Sequence, residues 1–290
     1  MRIFFIILTW NSQSVIEKCL NSILAFQKIE TRIIVIDNGS KDQTAAIVQR
    51  VQEKAKRSSE RFMLVQLVKN RGTTLSRNIG IAIALNAAKD NDCVCILDSD
   101  TEISEQAINA LANILHETSS VGIVGPRMVT REGCIQPSAR KIPTVPQKLK
   151  WLKNTCEMER IFKQDIEKAS HIYTDSAGIY AGYLTSACWM MKPSLFKEIG
   201  LLDEQIFYAP EDAEFCIRAW KNGKKVLYCP NVCVVHHWQR LSRKKLFSKH
   251  NWEHLKGLMH MYIKHRFFFS DINIRRQVES QGPDFAQITF

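Results

Sequence analysis

Several features that mark common protein classes are missing from this sequence. Its nine cysteines include no Cys-x-x-Cys pair, which gives no support to a disulfide framework or a structural zinc site. No apolar run approaches the ~20 residues that a transmembrane helix needs. We therefore expect a cytoplasmic protein, and a peripheral contact with the inner face of the cell membrane stays open as an addition.

Two phosphate-binding patterns are also missing. Neither Gly-x-Gly-x-x-Gly nor Gly-x4-Gly-Lys-Ser/Thr occurs, which argues against dinucleotide-binding and P-loop enzymes. The net charge of +11 would suit nucleic acid, anionic lipid or a phosphorylated ligand. Because zinc-finger spacing and aromatic RNP-type strands are absent as well, we expect no nucleic-acid partner.

The first half of the chain alternates short apolar runs with amphipathic stretches. Strands are predicted at Ile3–Thr9, Arg32–Asp37, Phe62–Lys69 and Cys93–Asp98, and helices near Ser14–Leu24, Asp42–Lys56 and Thr74–Ala88. Ser14 and Ser40 each begin a capping-box pattern, which predicts helix starts directly after the first two strands. The order of elements predicts an α/β fold, with a mostly parallel sheet covered by helices on both faces.

The second half of the chain follows a different pattern. Val121–Gly125 and Ala187–Lys192 predict strands, Pro210–Asn222 a helix, and Lys225–Tyr228 and Val232–His236 two short strands. Thr130–Lys150 is rich in basic residues, proline and glycine, and is interpreted as a long surface loop. A basic helical region is expected from Leu241 to about Arg266, and the polar tail after Asp271 is expected to pack loosely.

Polar clusters follow four of the predicted strands. They are Thr9-Trp10-Asn11, Asp37-Asn38-Gly39-Ser40, Asn70-Arg71-Gly72 and Asp98-Ser99-Asp100. Ligands of open α/β sheets bind beyond the carboxyl ends of the strands, so these clusters form a candidate site. The alternative is that such residues merely make turns.

Carboxylates and one histidine supply the candidate chemistry. Asp98 and Asp100 end an apolar strand, and two oxygen ligands there suit Mg²⁺ or Mn²⁺ shared with substrate phosphates. Glu211 and Asp212 begin a predicted helix, where the alternative role is interaction with the helix dipole. His236 ends a short apolar run and could complete a metal shell, although a lone histidine is more often packed or solvated.

Taken in order, these motifs resemble the family-2 inverting glycosyltransferases, most closely a bacterial rhamnosyltransferase-like subgroup. The matching residues are Leu8-Thr-Trp-Asn11, Val35-Ile-Asp-Asn-Gly-Ser40, Asn70-Arg-Gly72 with Arg77-Asn78, Asp98-Ser-Asp100, Glu211-Asp212 and His236. The resemblance runs from about Arg2 to Ser242. It implies a GT-A fold, in which a nucleotide-binding α/β sheet merges with an acceptor-binding half.

The resemblance also implies roles for single residues. A nucleotide-sugar site would comprise Thr9, Asn11, Asp37, Asn70, Arg77, Asp98 and Ser99. Asp100 and His236 would hold a divalent metal, Mn²⁺ or Mg²⁺, and Asp212 would be the catalytic base beside Glu211. The implied reaction moves a sugar from a nucleoside-diphosphate donor to a saccharide or lipid-linked saccharide acceptor, in cell-surface polysaccharide or glycolipid synthesis.

The resemblance divides the chain into a catalytic domain over 1–240, with halves 1–125 and 126–240, and a basic extension over 241–290. That extension includes part of a strongly basic, aromatic stretch beginning at His236, which suits an anionic membrane surface or simply an amphipathic helix packed on the domain. Two other functions stay open: a nucleotidyltransferase acting on sugar phosphates, and a non-catalytic module that binds nucleotide sugars or lipid surfaces. The Thr9-Trp10 pair and the segment after His236 depart from the family pattern.

Overall fold

A mixed sheet of ten strands runs through the part of the chain that the computed structural model describes, residues 1–55, 61–153, 178–237 and 249–280. The strands are β1 Arg2–Thr9, β2 Glu30–Asp37, β3 Phe62–Gln66, β4 Cys93–Asp98, β5 Thr101–Glu102, β6 Val121–Val129, β7 Ile135–Gln136, β8 Ala139–Arg140, β9 Ile179–Tyr180, β10 Tyr183–Leu184, β11 Cys188–Met191 and β12 Lys225–His236. Strands β8 and β10 form a separate antiparallel pair.

The helices in these ranges lie between and after the strands. They are α1 Ile16–Leu24, α2 Thr44–Lys54, α3 Thr73–Ala87, α4 Glu105–Glu117, α5 Val145–Lys153, α6 Pro193–Ile199, α7 Glu211–Lys221, α8 Lys249–His265 and α9 Ile272–Glu279. None of the helices within the described ranges is long and apolar enough to cross a lipid bilayer.

The sheet order is β3-β2-β1-β4-β11-β6-β12-β5. Its first four strands are parallel, as the sequence predicts, whereas β11 runs antiparallel between β4 and β6. The parallel strands place their carboxyl ends at one edge, where the predicted polar clusters follow them. This topology confirms the predicted α/β class.

The apolar runs bury both faces of the sheet. In β1, Phe4 and Ile6 pack into one core, while Ile3, Phe5 and Ile7 pack into a second core on the opposite face. Alternate side chains of a strand point to opposite faces, so only a continuous apolar run can fill both cores. Each such side chain contributes roughly 1.5–3 kcal/mol to folding when fully buried.

Helix α7 is held in place by aromatic packing and by a buried indole. Phe215 stacks on Trp189 of β11 with ring centroids 5.8 Å apart. Trp220 donates from Nε1 to the carbonyl oxygen of Ala181 at 3.0 Å. These contacts fix the start of α7, Glu211, beside the carboxyl edge of the sheet.

The two predicted capping boxes are wrong. Helices α1 and α2 begin after Val15 and Gln43, and neither residue makes a side-chain cap. Ser40 instead donates to the Asp37 carboxylate, and its Oγ accepts from the backbone N–H of Asn11 at 2.9 Å. The Ser40 hydroxyl thus holds two loops together at the sheet edge.

The prediction of a long surface loop over Thr130–Lys150 is also wrong. This stretch contains the short strands β7 and β8 and the beginning of α5. Strand β7 pairs with the neighbouring β6 across a short turn, and β8 pairs with β10, more than 40 residues away. Part of the tail expected to pack loosely, Ile272–Glu279, likewise forms α9, which buries Ile274 and Val278, and residues 281–290 lie outside the described residues. The two strands predicted within 225–236 form one strand with an irregularity between Cys229 and Cys233.

Two helices, α4 and α6, were not predicted from the sequence. Ser104 caps α4 by accepting from the backbone N–H of Ala107 at 3.1 Å, a local signal that the sequence does carry. The predicted helical residues 241–248 and the departure after His237 lie outside the described residues.

Candidate active site

A cleft of about 410 Å³ opens at the carboxyl edge of the sheet. Nine of the eleven predicted site residues line it: Asn11, Asn70, Arg77, Asp98, Ser99, Asp100, Glu211, Asp212 and His236. The fold therefore gathers residues that are up to 225 positions apart, since Asn11 and His236 share one cavity.

The other two predicted residues, Thr9 and Asp37, do not line the cleft. Both are buried, at 1% and 3% exposure. Asp37 accepts hydrogen bonds from the backbone N–H and the hydroxyl of Ser40, and Ser40 in turn holds Asn11. In this structure Asp37 therefore supports the cleft wall from behind.

Asp98, Asp100 and His236 form a candidate metal centre. One ligand atom from each lies within 4.8 Å of the other two. Strand β12 pairs with β5 so that His236 lies opposite Thr101, which brings Nε2 of His236 to 3.3 Å from Oδ1 of Asp100. Two carboxylates and an imidazole form a ligand set that suits a divalent cation.

Gln136 orients the imidazole of His236. Its Oε1 lies 2.6 Å from Nδ1 of His236, and its Nε2 donates to the His236 carbonyl oxygen at 2.7 Å. Because an amide oxygen only accepts, Nδ1 carries a proton and donates to Gln136, which leaves Nε2 as the ring nitrogen that faces Asp100. The imidazole is thus turned so that Nε2 is the nitrogen available to a metal.

The buried guanidinium of Arg77 joins the metal centre to helix α7. Arg77 is 2% exposed and donates to Asp98 at 2.6 Å and to Glu211 at 2.8 Å. It also donates to the hydroxyl of Ser186 at 2.7 Å, and that hydroxyl donates to Glu211 at 3.0 Å. A buried cation needs such partners, so Arg77 holds two carboxylates that line the cleft, Asp98 and Glu211.

The adjacent carboxylates of Glu211 and Asp212 have different surroundings. Glu211 is 4% exposed and is held by Arg77 and Ser186, whereas Asp212 is half-buried and accepts from the backbone N–H of Ala213 at 2.8 Å. Burial, followed by the charge of Asp212, raises the pKa of Glu211 to about 7. Burial also raises the pKa of Asp212, which strengthens it as a base.

Sequence reasoning missed three polar side chains at this site. Gln136 and Ser186 contact the predicted ligands directly, and Asn38 is buried where it accepts from the backbone N–H of Arg71 at 2.8 Å. Asn38 belongs to the predicted polar cluster Asp37-Asn38-Gly39-Ser40, so the sequence already indicated that it lies at the end of a strand beside the site. The stretch from Gly133 to Arg140 resembles a loop of the family subgroup, but no local pattern gives the contacts of Gln136 or Ser186, because their partners lie 100 and 25 positions away.

A sequence model described as Glycosyl transferase family 2 matches residues 4–200. This is more than half of the chain. The chain belongs to glycosyl transferase family 2. The match confirms the resemblance seen in the sequence motifs, and it includes Arg77, Asp98 and Asp100. Glu211, Asp212 and His236 lie beyond it, so their assignment relies on their position in the cleft.

Curated relatives of this family 2 chain include glycan-building transferases. A low-salt glycan biosynthesis hexosyltransferase of Haloferax volcanii is 25% identical over 58% of the chain and 49% of its own length. An N-acetylglucosaminyl-diphospho-decaprenol L-rhamnosyltransferase of Mycobacterium tuberculosis is 25% identical over 77% of the chain and 71% of its own length. The chain thus spans about half the length of the first relative.

Solved structures share the fold. A mannosyltransferase from Pyrobaculum calidifontis, solved with GDP-Man and Mn²⁺, superposes with a TM-score of 0.58 at 19% identity. The match covers 91% of this chain and 63% of the other. The GT-A fold expected from the sequence is confirmed, and the family match favours a nucleotide-sugar glycosyltransferase over a nucleotidyltransferase or a non-catalytic binding module.

Proposed function

We propose that this family 2 chain transfers a sugar from a nucleoside-diphosphate donor to an acceptor hydroxyl with inversion at the anomeric carbon. The observation that carries the proposal is one cleft that holds a metal-compatible group, Asp98, Asp100 and His236, together with the half-buried carboxylate of Asp212. Hexosyl and rhamnosyl transfer by the relatives supports a hexose or deoxyhexose as the donor sugar, in synthesis of a bacterial surface polysaccharide or glycolipid.

The donor would bind over the carboxyl edge of the sheet. Asn11, Asn70 and Ser99 offer polar groups there, while Thr9 and Asp37 support the wall behind them. Asp100 and His236, with Asp98, would hold Mn²⁺ or Mg²⁺ beside the donor diphosphate. A divalent ion bound at this position supplies positive charge that stabilises the departing nucleoside diphosphate.

Asp212 would act as the general base. Its carboxylate takes the proton of the acceptor hydroxyl, whose oxygen forms a bond to the anomeric carbon as the bond to the diphosphate oxygen breaks. Glu211 cannot swing freely, because Arg77 and Ser186 both hold it. We infer that the contacts of Arg77 with Glu211 and Asp98 fix the distance between the metal-compatible group and the start of α7. Asp212, the next residue of α7, would then be held at a constant distance from that group.

The acceptor would be a saccharide or a lipid-linked saccharide, as the decaprenol-linked acceptor in the name of one relative supports. We propose a cytoplasmic protein that meets such an acceptor at an anionic membrane surface. Residues 1–125 would bind the donor, residues 126–240 the acceptor, and residues 241–290 would form the basic extension.

The direct test is release of nucleoside diphosphate from a panel of nucleotide sugars. Purified protein with an acceptor extract and Mn²⁺ is expected to release it from one or two donors, and EDTA is expected to stop the release. Asp100→Ala removes a carboxylate of the metal group and is expected to release none. Full activity of Asp100→Ala without added metal would refute the metal assignment.

A further inference from the structure

Helix α8 is apolar on two opposite faces. Its inner face packs Leu258, Met261 and Tyr262 into the core at 8%, 0% and 3% exposure. Its outer face carries Trp252, Leu255, Met259 and Ile263, here called the outer stripe, at 59%, 49%, 44% and 63% exposure. The spacing of three or four residues puts these side chains on one side of the helix, over ~16 Å at 1.5 Å per residue.

An ordinary surface helix would be polar on this outer face. A contiguous exposed apolar stripe on a soluble domain marks a contact surface. Two further apolar side chains after the helix, Phe269 and Ile272, are 77% and 47% exposed. The packed amphipathic helix considered from the sequence therefore accounts for the inner face of α8 and leaves the outer face unexplained.

The charges around the stripe favour an anionic partner. Six Lys or Arg residues and three Asp or Glu residues fall within 249–280. Lys256 is exposed on α8 with its Nζ 5.8 Å from the centre of the Trp252 ring, and it also pairs with Glu253. Arg275 pairs with Asp271, and Lys264 with Asp203 and Glu214, while Arg266 and Arg276 are exposed on the same stretch of the chain.

A lipid surface fits this chemistry better than a second copy of the chain. Apolar and aromatic side chains enter the headgroup boundary, while neighbouring Lys and Arg side chains attract anionic lipid. A symmetric dimer through α8 would bring the same basic residues face to face, and like charges repel.

The inner face of α8 fixes the stripe relative to the candidate base. A Cβ on Gly257 would lie 2.3 Å from the carbonyl oxygen of Ala209, so the helix backbone lies directly against the segment that leads into α7. Lys264 and His265 contact Glu214 of α7 at 2.8 and 3.1 Å. A surface that binds the stripe therefore stands at a fixed distance from Asp212.

We propose that the outer stripe and the basic residues beside it dock the chain on an anionic bilayer, with the acceptor end of the cleft held at a set height above the lipid. This inference rests on the proposed function, which has the acceptor at an anionic membrane surface, and adds the part of the chain that would contact the lipid. A hydroxyl of a lipid-linked acceptor then reaches Asp212 without leaving the membrane.

The test is co-sedimentation of the full chain with phosphatidylcholine vesicles, with and without phosphatidylglycerol, in the absence of any substrate. Wild-type protein is expected to bind the phosphatidylglycerol vesicles at low salt and to release as salt rises. Met259→Glu and Ile263→Glu are expected to weaken binding by about tenfold or more, because each puts a charge into the lipid contact. Val68→Glu is the matched control, since Val68 is a fully exposed apolar side chain outside α8, and is expected to bind like wild type.

Several outcomes would overturn the docking surface. They are equal binding by Ile263→Glu and wild type, no preference of wild type for phosphatidylglycerol, and a wild-type dimer in sedimentation that Ile263→Glu converts to monomer. Because vesicle binding needs no donor, its failure is distinguishable from failure of the sugar-transfer assay.

Discussion

At the scale of single residues, the two adjacent carboxylates of Glu211 and Asp212 have different contacts in the cleft. Glu211 is held by a buried guanidinium and a hydroxyl, and Asp212 keeps the freer position with one contact to a backbone N–H. Successive residues of a helix point roughly 100° apart, from ~3.6 residues per turn, so they do not face the same group. The contacts of Glu211 explain why the second residue of the pair is the better candidate base.

Asp212→Asn is expected to lower kcat by roughly 10²–10⁴-fold with donor affinity nearly unchanged, because it removes basicity and keeps the shape of the side chain. Glu211→Gln is the matched variant. It weakens the pairing of Arg77 and is expected to act mainly through stability, at a cost of about 1–3 kcal/mol. Steady-state kinetics and denaturant unfolding of both variants decide between them; a nearly active Asp212→Asn beside an inactive Glu211→Gln would reverse the assignment.

The neighbouring histidines at the end of β12 provide a second comparison. His236 faces Asp100 in the cleft, whereas Nε2 of His237 lies 2.5 Å from Glu102 and the residue does not line the cleft. His236→Ala is expected to raise the Mn²⁺ concentration needed for half-maximal activity by about 10–100-fold, while His237→Ala leaves it unchanged. Metal titrations of turnover measure both, and equal metal requirements in the two variants would remove His236 from the metal group.

At the scale of elements, a buried carboxylate joins α7 to α8. Glu214 accepts from Arg218 at 3.0 Å and from Nε2 of His265 at 3.1 Å, and it pairs with Lys264. Burial opposes the charged carboxylate, but the hydrogen bond from His265 and the charge of Arg218 bring the pKa of Glu214 down to about 2. Burial lowers the pKa of His265, so its neutral imidazole can donate to Glu214 near neutral pH.

The lowered pKa of Glu214 gives stability a definite pH dependence. Its contribution is present above the ordinary glutamate pKa of about 4.3 and is lost as pH falls toward about 2, because the unfolded chain takes up the proton first. Glu214→Gln is expected to cost about 3–5 kcal/mol at pH 7 and to flatten the loss of stability below about pH 4.3. Urea unfolding across this range measures it, and an acid slope equal to that of wild type would exclude Glu214 as its source.

The elements also separate what the sequence could predict from what it could not. Strands β1, β2 and β4 agree with their predicted ends within about two residues, because continuous apolar runs record burial on both faces. Strand β8 depends on a partner in β10, which no local pattern encodes, whereas β7 pairs with the adjacent β6 across a turn at Gly133 that the sequence interpretation missed. Helix α9 looked polar because only Ile274 and Val278 are buried.

The site shows the same division. Asp98 and Asp100 could be predicted because a strand end and an acid pair are adjacent in sequence. The orientation of the His236 ring depends on Gln136, 100 residues away, and the position of Glu211 depends on Arg77, 134 residues away. Such partners appear only once the sheet order is known.

At the scale of the whole molecule, one rigid arrangement connects three surfaces. Arg77 joins the metal group to the start of α7, and Glu214 joins α7 to α8, whose outer stripe faces away from the core. A donor at the sheet edge, a base at α7 and a lipid contact at α8 would then keep fixed relative positions. The net positive charge of the chain did not by itself indicate a partner, and in this arrangement part of it would lie at the proposed lipid contact.

The anomeric configuration of the product tests the central claim most directly. Once the panel has identified a donor, proton NMR of the freshly formed product reports the configuration at the transferred anomeric carbon. A single displacement with Asp212 as base predicts inversion, so that an α-linked donor yields a β-linked product. A product that keeps the configuration of the donor would contradict this account of the cleft.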